Sequence, residues 1–199
     1  MIACRYIILV IALTFSFKTE AQETTIELPY SVIPVSPVEY NEHTVAARMI
    51  DGLGFRYYWA TEGLREEDLN YQPSETSRTT LETIVHIYNL SNTIVNSTLS
   101  KPNVRGGNTE EYNFYDYRKM TLQNFEKASN NLKDENVPAM NDLKIIFQRG
   151  ERNIDFPFWN MINGPIADAI WHTGQVVAFR RASGNPLPPG VSVFNGTKN

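Results

Sequence analysis

Only one of the 199 residues is a cysteine, Cys4. A single thiol forms no internal disulfide, supplies no thiolate metal cage and leaves no Cys-His nucleophile pair downstream. Basic clusters are also missing. The densest is the pair Arg180-Arg181, against 18 basic and 22 acidic residues overall. Phosphate binding relies on clustered Lys and Arg, so nucleic acid is excluded as a partner. No internal repeat or low-complexity tract occurs. The one long apolar run, Tyr6–Phe17, is shorter than the roughly 20 residues that cross a bilayer comfortably. Histidine is scarce as well: His43, His86 and His172 are all there are.

What is present begins with that apolar run. Arg5 precedes it, and Thr19-Glu20-Ala21 follows with small residues at the key cleavage positions. Residues 1–21 therefore read as a secretory signal peptide cut after Ala21, with an uncleaved anchor helix as the competing reading. Cys4 would leave with the signal, as would Arg5, Lys18 and Glu20. The remainder would carry 16 basic and 21 acidic residues, a net charge of −5. The expected location is periplasmic or secreted, with no stable membrane anchor after cleavage.

Residues 22–40, with Pro29, Pro34 and Pro37 among β-branched residues, predict an extended arm. The first helix is expected from about Asn41 to Gly63, with Asn41 as cap and Val45, Met49, Leu53 and Tyr57 as its stripe; Gly52 and Gly54 weaken it. A second helix starts near Ser77 or Thr79, with Leu81, Ile84, Val85, Tyr88 and Val95 apolar. Lys101 to Asn108 reads as a loop, and a third helix covers roughly Tyr115 to Lys133 on Tyr117, Met120, Leu122, Phe125 and Leu132. Leu143–Phe147 and Asn153–Phe156 flank Arg149-Gly150-Glu151 as a hairpin. The last helix is expected over Pro157 to Ala182, stopping at Gly184, on a stripe of Trp159, Ile162, Ile166, Ile170 and Val177. These elements predict an all-α fold over residues 41–187: an antiparallel four-helix bundle with a short hairpin or irregular insert before the last helix. Residues 188–199 form a C-terminal tail.

The chemistry concentrates on the last helix. At 3.6 residues per turn, Asp168, His172, Gln175 and Phe179 fall on one strip, away from the apolar stripe. Asp168 and His172 are one turn apart and within reach of a shared ion. A solvated i,i+4 pair is the plain alternative. His86 lies off the apolar stripe of the second helix and reads either as a hydrogen-bonded surface residue or as a third ligand. Three nitrogen or oxygen donors from two helices can hold a divalent ion with positions left open. Glu82, one turn before His86, is a candidate to orient that ring; a surface role is the alternative. Gln175 extends the strip and could touch substrate. His43 is read as exposed, and Arg180 and Arg181 either fix an anion or favour the helix C-terminus.

The run from Gly54 to Ser74, followed by Thr80-Leu-Glu-Thr-Ile-Val-His86-Ile, resembles the opening of the DinB-like (YfiT-like) family. Pro157-Phe-Trp-Asn and the stretch His172 to Pro186 resemble that family's last helix. The likeness covers most of residues 41–187 and its motifs are short. It implies a four-helix bundle with a divalent metal on three histidines, one from the second helix and two, spaced His-x-x-x-His, from the fourth. His86 and His172 match two of those positions. Asp168 stands at the third, a departure that partly neutralises the cation, acidifies a bound water less and admits harder metals. Nickel, zinc, manganese and iron are the candidate ions.

The resulting expectation is a metal-dependent hydrolase working through a metal-activated water on an unidentified small molecule. The alternative is a non-catalytic bundle that binds a ligand or partner. A thiol-dependent transferase fits an exported chain poorly, and a purely structural zinc would want four protein ligands. Pairing into a homodimer is a further expectation from the bundle architecture.

Overall fold

The computed structural model describes residues 27–104 and 111–199. The signal-peptide reading of residues 1–21 and the first residues of the arm lie outside them. Residues 27–40 form no helix or strand. The chain is predominantly helical with a small three-stranded sheet, and none of its described helices is long and apolar enough to cross a membrane.

Helix α1, Glu42–Thr61, starts where expected for a clear local reason. Asn41 is extended; its side chain accepts the Thr44 N–H at 2.9 Å while Thr44 Oγ1 accepts the Asn41 N–H at 3.0 Å. Two otherwise orphaned donors are thus satisfied reciprocally. A single turn, α2 (Glu66–Leu69), follows. Helix α3, Thr80–Ser97, begins with the same device between Thr79 and Glu82. Helix α4, Phe114–Leu132, is capped by Asn113, whose Oδ1 accepts the Asp116 N–H at 3.0 Å.

The fourth helical segment departs from expectation. It is not one helix from Pro157, because Pro157 ends a strand. After it come a short turn, α5 (Trp159–Met161), a π-helical turn over Ile162–Ile166, and only then α6, Ala167–Ala182. Gly164, at φ −96° and ψ −107°, is non-helical, and Pro165 follows it. Proline removes a backbone donor and crowds the preceding turn, so the ladder breaks there. The buried stripe shifts in consequence. Trp159 is 74% exposed, and α6 buries Ala169, Thr173, Val176 and Arg180, while Ile170 and Val177 are only partly covered.

A strand also replaces part of the loop expected at Lys101–Asn108. β1 (Pro102–Val104) pairs in parallel with β2 (Lys144–Arg149), which pairs antiparallel with β3 (Arg152–Pro157). Asn103 holds β1 in place: it accepts from Asn96 Nδ2 on α3 at 3.0 Å and donates to the Ile146 carbonyl at 3.1 Å. The hairpin turn is as expected, with Gly150 at φ +61°. The all-α expectation is corrected to this extent. A second hairpin, β4 (Val191–Ser192) with β5 (Thr197–Lys198), occupies the expected tail.

Side-chain contacts fix the helix directions. Arg118 meets Thr61 and Lys133 meets Asp51, so α1 and α4 run antiparallel. Asn124 meets Ser91 and Asn131 meets Thr98, so α3 and α4 run parallel. Consecutive long helices do not simply alternate, and the α3–α4 connection must return over the helix length, about 27 Å at 1.5 Å per residue. Between the helices lies a core that includes Ile50, Leu53, Tyr57, Ile84, Ile87, Ile94, Leu122, Phe125 and Leu132, each large side chain contributing about 1.5–3 kcal/mol.

Candidate metal centre

α3 and α6 pack against each other, with Tyr71, just before α3, touching Phe179 near the end of α6. His86, on the second turn of α3, then faces the first turns of α6. On α6 the buried residues Ala169, Thr173 and Val176 lie about 100° round the helix from the strip of Asp168, His172 and Gln175. The strip is a flank: packed enough to be ordered, open enough to be reached.

Three side chains converge there. His86 Nε2 lies 3.2 Å from Asp168 Oδ2, and His172 Nε2 lies 3.3 Å from Asp168 Oδ1. The imidazoles meet edge to face, their centroids 4.6 Å apart. One ligand atom from each residue lies within 4.8 Å of the other two. His172 is 14% exposed, His86 28% and Asp168 41%, so the carboxylate forms the solvent side. Asp168 lies on the first turn of α6, just after the kink at Gly164-Pro165 that sets the phase of this helix.

Proton bookkeeping decides what this arrangement needs. His172 Nδ1 lies 2.7 Å from Gln175 Oε1, an acceptor, so Nδ1 carries the proton. In the neutral ring Nε2 then presents a lone pair to an oxygen that also only accepts. The contact becomes attractive when a cation, a proton or a metal ion, sits between them. His86 has a pKa below its ordinary value, chiefly because burial disfavours its charged form; Arg78 and His172 add to this, and Asp168 opposes it. A neutral His86 binds a metal without first losing a proton. The donor set therefore fits a divalent ion: two imidazole nitrogens and one carboxylate is an open arrangement for iron, manganese, nickel or zinc.

The expected supporting residues exchange roles. Glu82 was the candidate to orient His86, but its Oε2 accepts the Thr79 N–H at 2.7 Å in the helix cap. Gln175, a candidate to support the site or touch substrate, sets its Oε1 2.7 Å from Nδ1 of His172. His43 stands apart, donating from Nε2 to the Pro138 carbonyl at 2.9 Å. Arg180 is buried, and its Nη1 donates to the carbonyls of Trp59, Ala60 and Glu62, closing the C-terminal end of α1 rather than that of its own helix. One neighbour escaped the sequence reading, Arg78, whose charge bears on His86; Trp171, whose aromatic ring the sequence suggests as core filling, is 71% exposed.

No family model, curated protein or solved structure matches the chain. The DinB-like resemblance therefore rests on the sequence motifs alone.

Proposed function

We propose that the chain is a divalent-metal-binding protein and a metal-dependent hydrolase, built as an exported four-helix bundle of the DinB-like kind. One observation carries the reading: His86, 82 residues away from Asp168 in sequence, meets it and His172 at a single point. His86, Asp168 and His172 would hold the ion. When bound, the ion supplies Lewis acidity toward a carbonyl and lowers the pKa of a coordinated water. The chain's own contribution is positional. Gln175 fixes the proton on Nδ1 of His172 and so keeps Nε2 aimed at the site. The Asp168 charge compensates the cation on the solvent side. The pairwise packing of α1 with α4 and α6, and of α3 with the same two helices, supports the bundle reading; the parallel α3–α4 pair sets its connectivity.

A second reading is a non-catalytic binding module, favoured by the engagement of Glu82 in the α3 cap instead of beside the site. The two separate by reconstitution with nickel, zinc, manganese and ferrous iron, followed by a panel of small esters and amides. For the hydrolase, turnover needs metal, and Asp168→Ala and His172→Ala lose metal and turnover together. Stoichiometric metal with no turnover across the panel selects the binding module.

A further inference from the structure

A second concavity lies beside the α5 turn. It has a volume of about 590 Å³ and opens between the start of α1, the loop at residues 139–141 and the α5 turn. It shares no lining residue with the metal centre. Its size is that of a small-molecule pocket, which typically spans about 300–1,000 Å³. Its apolar lining includes Met49, Met140 and Phe158, and the flexible methionines make it adaptable. Trp159 (74% exposed) and Tyr40 (94% exposed) stand open at the walls, which is unusual for large aromatics that fill no core.

Charge selects among apolar ligands. Among the described residues, the one charged residue lining the cavity is Glu42, an exposed carboxylate, and none is Lys, Arg or His. The positive end of α1 is close by; the Asn41–Thr44 capping box satisfies the Asn41 and Thr44 N–H groups, and the Glu42 carboxylate offsets the helix dipole. An anion would meet the Glu42 carboxylate and no cationic side chain among the described lining residues. A cation would find a carboxylate and aromatic faces of the kind that attract ammonium groups.

We propose that this cavity is a binding site, separate from the metal centre, for a small hydrophobic cation: an ammonium group carried on an apolar body of about ten heavy atoms. The aromatic walls and Glu42 hold the head, and Met49, Met140 and Phe158 cover the body.

The test is calorimetric titration of the full chain, without added metal, with 4-phenylbutylamine, 4-phenylbutanol and 4-phenylbutanoate. These ligands share one body and differ in charge. The amine binds about tenfold more tightly than the carboxylate, with the alcohol between them. Glu42→Gln brings the amine to the level of the alcohol, a loss of about fivefold. Val45→Trp, at a half-exposed lining position that tolerates the larger ring, removes binding of all three with the helical circular dichroism unchanged. Trp159→Ala, on the exposed wall, weakens the amine more than the alcohol. Equal or tighter binding of the carboxylate, no binding of the amine, or undiminished binding by a folded Val45→Trp protein each overturns the proposal.

Discussion

Gln175 holds His172 by its Nδ1 proton, 2.7 Å away and one turn along α6. This second contact makes His172 a directed donor. Loss of such a contact typically lowers metal affinity about 10–100-fold. Gln175→Leu is expected to fall in that range, measured by competition with a metal-sensitive dye, with the fold retained. Glu82→Gln is expected to leave metal affinity unchanged, because that side chain serves the helix cap. An equal loss in both variants would return the orienting role to Glu82.

Arg180 ties the end of α1 to the chain beyond α6. Besides the three carbonyls of α1, it donates from Nε to the Asn185 carbonyl at 2.7 Å and from Nη2 to Asn185 Oδ1 at 3.2 Å. Arg180→Met would leave several buried carbonyls without a donor, at about 3 kcal/mol or more. Thermal unfolding should move down by about 10 °C. Arg180→Lys should recover only part of this, since one ammonium lacks the guanidinium's planar fork.

Asp68 gives the fold an acid-sensitive point. Its carboxylate pairs with Arg65 and accepts from Ser183 and Asn185, linking α2 to the end of α6. The Arg65 hydrogen bond, helped by those from Ser183 and Asn185, holds its pKa far below the usual carboxylate range despite burial. The unfolded chain therefore binds this proton first as pH falls. The stabilisation is complete above the unfolded value of about 4 and drains away below it. Chemical denaturation across pH 2–6 should show a decline in wild type that is shallower in Asp68→Asn, which is less stable at neutral pH.

Two helical glycines are expected to respond in opposite directions. A Cβ at Gly54 would lie 2.6 Å from the ring of Tyr30, which is buried and donates its phenol to Asp51 at 3.0 Å. At Gly52 it would meet only Nη1 at the flexible end of the Arg56 side chain, at 3.2 Å, where that group donates to the Gly52 carbonyl at 2.9 Å. Ala gains up to about 1 kcal/mol over Gly inside a helix. Gly52→Ala should be neutral to stabilising. Gly54→Ala should expel Tyr30, lower stability and expose residues 31–40 to limited proteolysis. Matching effects at both positions would show that Tyr30 does not anchor the arm.

Local chemistry was legible where it acts locally. Asn41 and Thr79 announced their helices because a cap satisfies donors three residues away, and the Asp168–His172 strip follows from helical period alone. Non-local features were hidden. β1 exists only because Asn103 and its neighbours find β2 more than forty residues on. Arg180 looked like a helix-end charge because its acceptors lie some 120 residues upstream. Gly164-Pro165 was a visible signal for the break before α6, and with it the true phase of the buried stripe could have been set. The partner of Glu82 was equally near at hand: a threonine three residues before a glutamate forms a capping box.

The central claim, that His86, Asp168 and His172 hold one metal ion, is tested most directly by elemental analysis. The protein would be purified without an affinity tag, beside His172→Ala. The account predicts close to one equivalent of nickel, zinc, manganese or iron in the wild type and none in the variant. Equal metal in both, or none in either after incubation with each ion, would contradict it.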